Sequence, residues 1–396
     1  MKLIQARIRG LGTLTESRWF DLSPHLNLFQ FPDNNGQVYG ENFLRILQTI
    51  NPTYAIQTVK PFASFPKFIE QDGYPRRVNP TKRTVALAVF TATPSLVKRL
   101  GSISEWLYET DRIEVGRRLD YSRWINFVEL AASTRWSEIS ADMQTLLDQV
   151  KRLAPNLTSP LTDIIPNLKP VDRIKNELQD QLLHWLQNLP PQLQKKSHQL
   201  IEKTSSAVMR ADHFHTARHI VRTRLPLFVL LGGSDPDSAS LHNLLQLISD
   251  RISPSGKKSS ADAQAFLDEL NEQLATLQFS GKILQLGRSQ TGLSLNLDGK
   301  PVQMSADEPP SSLSQLQAKA CLAIACSRLI YRTEPILLFA GPEQALPSTL
   351  HSELADFVNH ISSTCQCLYS FSQVDIFSND VLGRRYSASD LNMTNS

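Results

Sequence analysis

Cysteine is scarce. The 396 residues contain four, Cys321, Cys326, Cys365 and Cys367. They form no CxxC pair and stand at no metal-ligand spacing from a histidine, so neither a zinc ribbon nor a disulfide framework is expected. All four fall in apolar segments, where free cysteine packs as a small hydrophobe. That usage fits a reducing, cytoplasmic setting. Long hydrophobic runs are missing as well. The longest strongly apolar stretch, "LPLFVLLGG" (225–233), is too short to span a bilayer. The opening "MKLIQARIRGLG" has arginines where a secretion signal needs an apolar core. No membrane partner is expected. An excess of either charge is also absent. Forty-one Lys and Arg against 38 Asp and Glu leave +3, which neither demands nor excludes nucleic acid. Lysine does not occur from 26 to 46, and no internal repeat is found.

What remains is ordinary globular composition, 41% hydrophobic and 20% charged, long enough for two or three lobes. "KLIQARIRGL" (2–11) alternates as a half-buried strand does. "LNLFQF" (26–31) reads as a second strand, ended by the turn-rich "PDNNGQ" (32–37). Apolar residues at helical spacing, Phe43, Leu44, Leu47 and Ile50, predict a helix starting near Glu41. Strands are predicted at 84–93 and 112–119, with helical spacing between them. Residues 125–205 are rich in Leu, Gln and Lys at helical spacing, but prolines at 155, 160, 166, 170, 190 and 191 rule out a long coiled coil. After residue 225 the pattern is mixed again. It predicts helices at 240–252 and 263–277, short strands over 281–302, a helix at 313–331, a strand at 335–340, a helix at 348–363 and a strand at 365–371. Three parts are expected: 1–124, a helical insertion at 125–224, and 225–396.

Some motif-like stretches carry little. "SPSGKKSS" contains Gly-Lys-Lys-Ser but follows a helix, with Arg251 where the first glycine of a phosphate loop belongs. "LLGGSDPDS" lacks the third glycine of a dinucleotide loop. His215 and His219, four apart beside His213, could share a helix face. The surrounding Arg210, Arg218, Arg222 and Arg224 disfavour a cation there. Arg76, Arg77, Lys82 and Arg83 in one loop, Arg117 and Arg118 in "GRRLDYSRW", and Arg218 and Arg222 are candidate contacts to a nucleic-acid backbone or an acidic partner.

Four further segments stand in a telling order. "PDNNGQVYG" follows a strand and precedes a helix, with Asn34, Asn35 and Gly36. "SSLSQLQAKACLAIACSRLI" (311–330) offers Leu313, Ser314 and Gln317 ahead of an apolar helix, with Ser314 also readable as its N-cap. "ILLFAGPEQAL" ends a strand at Ala340 and Gly341. "CLYSFSQ" ends another at Phe371. This order resembles the SMC/RecF-type ABC ATPase head. The resemblance implies an α/β, two-lobed head of mixed sheets flanked by helices, with a helical insertion.

In that family the four segments are the phosphate loop, the signature helix, the acidic strand and the switch strand. Here each lacks its chemistry. The loop has no lysine to neutralise phosphate, and Glu41 or Asn42 takes the hydroxyl position. Gln315 and Leu316 replace signature glycines. Ala340 and Gly341 replace the Asp-Glu pair that orients magnesium and activates water. Phe371 replaces the switch histidine. Glu343, two residues past the strand and behind a proline, is expected to point elsewhere. The resemblance therefore implies a pseudo-ATPase with no bound cofactor. Its partners would be another ATPase-like head or a nuclease subunit, and DNA, in a DNA-maintenance or phage-defence complex. The alternative is an ATPase using ATP and magnesium with displaced groups, Lys257 or Lys258 at the phosphates and Glu343 as base.

Overall fold

The computed structural model describes residues 1–11, 14–31, 36–51, 83–103, 110–118, 122–158, 161, 164–232, 245, 248–250, 252, 260–289, 292–302, 312–372, 375–377 and 383–391. The chain divides into two compact units. One comprises Met1–Thr91, Val115–Trp124 and Arg224–Ser396, the other Ala92–Glu114 and Ile125–Thr223.

The first unit is built on a five-stranded sheet in the order β14-β4-β13-β12-β8. Its strands are β4 (Leu26–Gln30), β8 (Phe228–Gly232), β12 (Ile336–Ala340), β13 (Gln366–Phe371) and β14 (Gly383–Ser387). Every pairing in this sheet is parallel. β8, β12 and β13 are buried along their whole length, as expected of parallel strands covered on both faces. Segments 26–30 and 336–340 thus lie in one sheet, separated only by β13.

Helix α1 (Gly36–Gln48) follows β4. It starts five residues before Glu41, so Glu41 is not at the helix N-terminus. Its carboxylate instead takes two bonds from Arg45 one turn on, 2.8 Å from Nε and 2.7 Å from Nη2, in a buried pair. One face of the sheet buries Leu28, Val229, Leu337, Phe339, Cys367 and Tyr369 in a continuous apolar core. Helices α8 (Ser260–Thr276), α9 (Leu313–Cys326) and α10 (His351–Ser362) share that core. The helix predicted to run to 331 changes at Ser327 to a π turn, Ser327–Tyr331, closed by Arg332 in the left-handed region.

A second sheet runs β2-β1-β5-β6-β7, with β3 also on β1. The strands are β1 (Lys2–Leu11), β2 (Leu14–Glu16), β3 (Phe20–Asp21), β5 (Thr84–Thr91), β6 (Arg112–Arg118) and β7 (Arg123–Phe127). The Gln366 side chain stitches the two sheets together. Its amide nitrogen donates to Leu3 O at 2.7 Å, and its oxygen accepts from Leu3 N at 3.1 Å. A small antiparallel sheet, β9 (Leu284–Ser289), β10 (Gly292–Leu297) and β11 (Lys300–Pro301), completes the unit.

The second unit contains helices α2 (Pro94–Gly101), α3 (Trp136–Leu153), α4 (Asn176–Gln187), α5 (Pro191–Lys196), α6 (His198–Val208) and α7 (Arg210–Arg222). Trp136, Met143, Leu146, Val150, Leu182, Trp185 and Val208 form its core. Pro155 and Pro191 open their helical segments, where the missing N–H costs nothing, and Pro170 and Pro190 fall between helices, whereas Pro160 lies outside the described residues. Among the described residues no helix is long and apolar enough to cross a membrane.

Candidate functional site

The parallel pairing brings the carboxyl ends of four strands to one edge. Ala340 is level with Ser370 on one side and Gly232 on the other, and Phe371 is level with Gln30. In open α/β sheets this is the edge at which ligands bind. The candidate residues at it carry no ligating or proton-accepting side chain on β12 or β13. Ala340 and Phe371 are buried. Gly341 follows in the left-handed region at φ 55° and opens a 3₁₀ turn, Pro342–Ala345.

Helix α1 closes on this edge at Gly40. A Cβ there would fall 2.8 Å from Ser370 Oγ and 3.2 Å from the Phe31 ring. Gly40→Val is therefore expected to push the helix off β13 and cost about 1–3 kcal/mol, read as a lower denaturant midpoint with unchanged slope. Val38 and Tyr39, in the first turns of α1, are exposed at the rim. Gly36 opens the helix, whereas Asn34 and Asn35 lie outside the described residues.

Glu343 does not follow its expected course. It turns inward and is 2% exposed. The Tyr369 hydroxyl, from β13, donates to its Oε2. Its Oε1 is buried with no hydrogen-bond partner among the described residues. Desolvation raises the carboxyl above its ordinary range, against the opposing effect of the Tyr369 bond. Burial also drives Tyr369 ionisation well up, so the phenol remains a neutral donor. His351, on α10, faces two backbone carbonyls, Glu343 O at 3.0 Å and Leu346 O at 3.3 Å. Two acceptors require that its Nε2 carries the hydrogen. Gln344 Nε2 donates to Ser372 Oγ at 3.0 Å, and Gly341 N to Ser370 O at 2.9 Å. The turn after β12 is thus tied by two bonds to β13 and by a third to Ser372 just beyond it.

On the signature-like helix, the N-cap is Ser312, whose hydroxyl accepts from Gln315 N; Ser314 lies inside the helix, two residues past the cap. Gln317 is buried, and its Nε2 has no partner among the described residues. The four cysteines are free and buried. Burial pushes the Cys321 and Cys326 thiols up to about 12, which makes them inert as nucleophiles.

The basic candidates separate. Arg117 is a correction. It is 3% exposed, and its guanidinium donates to the carbonyls of Thr49 and Asn51 at the C-terminal end of α1. A buried guanidinium engaged this way offers nothing to a polyanion. Arg123 also donates to Asn51 O. The Asn51 side chain in turn bonds both backbone groups of Phe228, donating to its O at 2.8 Å and accepting from its N at 2.6 Å. Arg118 Nη1 donates to Ser122 Oγ at 3.2 Å across the β6–β7 hairpin. Trp124 packs closely on Gly116, where a Cβ would be 2.1 Å from the ring. The "GRRLDYSRW" segment therefore spends most of its arginine and aromatic groups on its own packing. Arg83 is half-buried. On α7, Arg218 is half-buried with its guanidinium 5.8 Å from the Phe214 ring centroid, and Arg222 is exposed. Arg76, Arg77, Lys82, Lys257 and Lys258 lie outside the described residues. His213, His215 and His219 are on α7; among the described residues no three His, Cys, Asp or Glu gather to hold a metal.

Alternation along β6 could have revealed Arg117. It shares the phase of Ile113 and Val115, both fully buried. The Glu343–Tyr369 contact has no such signal.

No protein-family model and no curated protein matches the chain. Several solved structures align with most of the chain. One is an Smc head domain with an extended coiled coil, bound to the C-terminal domain of ScpA, from Pyrococcus furiosus. It is 10% identical with a TM-score of 0.39, and the alignment covers 94% of this chain and 90% of that one. Another is the SMC head domain from Thermotoga maritima, 9% identical, TM-score 0.36, covering 95% and 90%. A third is the recombination mediator protein RecF with ATP in the RecFOR pathway, 10% identical, TM-score 0.35, covering 98% and 95%.

Proposed function

We propose that this protein is a catalytically inert, SMC/RecF-like head acting as a binding or structural subunit. The observation that carries the reading is the end of β12. Ala340 and Gly341 stand at the carboxyl edge of a parallel sheet, level with Ser370 and Gly232. Neither can hold a metal shell or accept a proton from water, which phosphoryl transfer to water needs. The nearest acid along the chain, Glu343, is buried against Tyr369, and this lends no support to a displaced general base. In this reading 1–124 and 225–396 form the head, and 125–224 an inserted helical arm. The partner is another ATPase-like head or a nuclease subunit, and the setting is DNA maintenance or phage defence.

The test is calorimetric titration with a magnesium complex of a non-hydrolysable ATP analogue, run beside a phosphate-release assay with ATP. No saturable heat and no release above the protein-free rate are expected. Tight magnesium-dependent binding accompanied by turnover would overturn the proposal.

A further inference from the structure

Among the bonds that hold the turn after β12 against β13 is one made by a buried acid, with one oxygen left bare among the described residues. Glu343 Oε2 accepts from the Tyr369 hydroxyl, and Oε1 is buried without a partner. An ionised carboxylate is acceptor-only and seeks several donors; a protonated one needs fewer. Leaving an ionised oxygen bare in a desolvated place is costly. The Tyr369 bond, a hydrogen bond to its own backbone and the nearness of His351 each favour the ionised form, but desolvation outweighs them. Tyr369, from β13, is its one side-chain partner among the bonds described. His351, from α10, directs its hydrogen at the Glu343 and Leu346 carbonyls. Asp375, beyond β13, is ion-paired with Arg385 of β14, and as an anion acting on the same Tyr369 it adds negative charge. Gln344 is committed to Ser372.

We propose that the Glu343–Tyr369 contact is a proton-dependent clasp, holding the 341–346 turn against the end of β13 while the carboxyl carries its proton and releasing it when that proton is lost. The turn has a built-in hinge in Gly341, at φ 55°, where only a glycine moves freely. The direction of the carboxyl shift agrees, since burial raises it. A group raised in the folded state contributes stability that is complete below its ordinary value and lost as pH climbs through the folded value. The clasp is thus shut in acid and loosens toward alkali. The proposal concerns the turn alone and holds whether or not nucleotide binds.

The test compares hydrogen exchange in the full chain and in Glu343→Gln at matched pH values between about 5 and 9. Glutamine keeps the shape and can accept from Tyr369 but cannot ionise. Taking the ratio of wild-type to variant rates cancels the intrinsic pH dependence of exchange. In peptides covering 340–346 and 366–372 that ratio is expected to rise about tenfold per pH unit over the interval between the ordinary and the folded value. Peptides from α4 should show a flat ratio. A flat ratio at 340–346 as well would overturn the clasp. The infrared spectrum of the wild type supplies a second reading that does not depend on the variant folding. A protonated-carboxyl stretch is expected to persist to higher pH than for ordinary carboxyls, shifted in Tyr369→Phe through loss of the hydroxyl donor. Absence of that band, or a band unmoved by Tyr369→Phe, overturns the proposal.

Discussion

Phe29→Ala is expected to destabilise the protein by about 3–5 kcal/mol, the range for truncating a buried phenylalanine. Phe29 is fully buried on β4. Its ring stacks on Tyr386 at 5.2 Å and 15°, meets Phe43 at 4.8 Å, and takes Phe20 edge-on at 5.8 Å and 77°. These partners come from β14, α1 and β3, so one ring joins the parallel sheet, the helix on its carboxyl edge and the second sheet. Aromatic pairs add about 0.5–1.5 kcal/mol each beyond area burial, which places the expected loss toward the top of the range. Chemical denaturation of the variant beside Val38→Ala gives the comparison. Val38 is 59% exposed, and its truncation should fall within about 0.5 kcal/mol of wild type. A Phe29→Ala loss under about 1 kcal/mol would mean that the aromatic cluster does not bind these elements together.

Arg117→Met should cost about 2–4 kcal/mol. The methionine fills much of the volume but strips Thr49 O and Asn51 O of a charge-assisted donor inside the fold. The last helical carbonyls are taken by the N–H groups of Thr49, Ile50 and Asn51, and Arg117 satisfies the carbonyls of Thr49 and Asn51 just beyond the helix. Asn51 keeps a second donor in Arg123, and this holds the expected figure below that for stripping both carbonyls completely. Arg117→Lys should recover only part of the loss, because an ammonium cannot span both carbonyls as a planar fork does. The measurement also separates two roles for the residue. A contact to phosphate would leave stability unchanged and reduce the salt dependence of nucleic-acid binding. A structural arginine lowers the unfolding midpoint in the absence of any nucleic acid. An unchanged midpoint would return Arg117 to the surface.

The architecture was legible where packing repeats itself along the chain. β4, β12 and β13 are short apolar runs bounded by turn residues, and each is found within a residue of its expected ends. α4 and α10 show their buried face as apolar residues at helical spacing. Legibility failed where the chain departs from periodicity. α1 begins earlier than the apolar spacing predicts, because its first turns, with Val38 and Tyr39 facing outward, carry no apolar stripe. The N-cap of α9 was offset by two because Ser312 and Ser314 are equally good hydroxyl donors and acceptors in sequence, and only the backbone angles of Ser312 choose between them. The inward turn of Glu343 depends on Tyr369, 26 residues away, and no local pattern encodes such a pairing. At the candidate site the residue types were readable, and their alignment at one edge needed the sheet.

The position of β4 has a consequence for how the protein is made. It is flanked by β13 and β14, and the Asn27 side chain reaches Cys367 O across 340 residues of sequence. A ribosome adding about 5–20 residues per second leaves this early strand unpaired for tens of seconds before its neighbours emerge. During that wait its apolar side chains and bare backbone groups are open to wrong partners. Folding of this unit is therefore a late, largely post-translational event, and the newborn chain is a natural client for a chaperone that shields hydrophobic strands. Removing residues 366–391 would take away both strands that pair with β4 among the described residues, and a prematurely terminated chain should accumulate as aggregate rather than as a smaller folded protein.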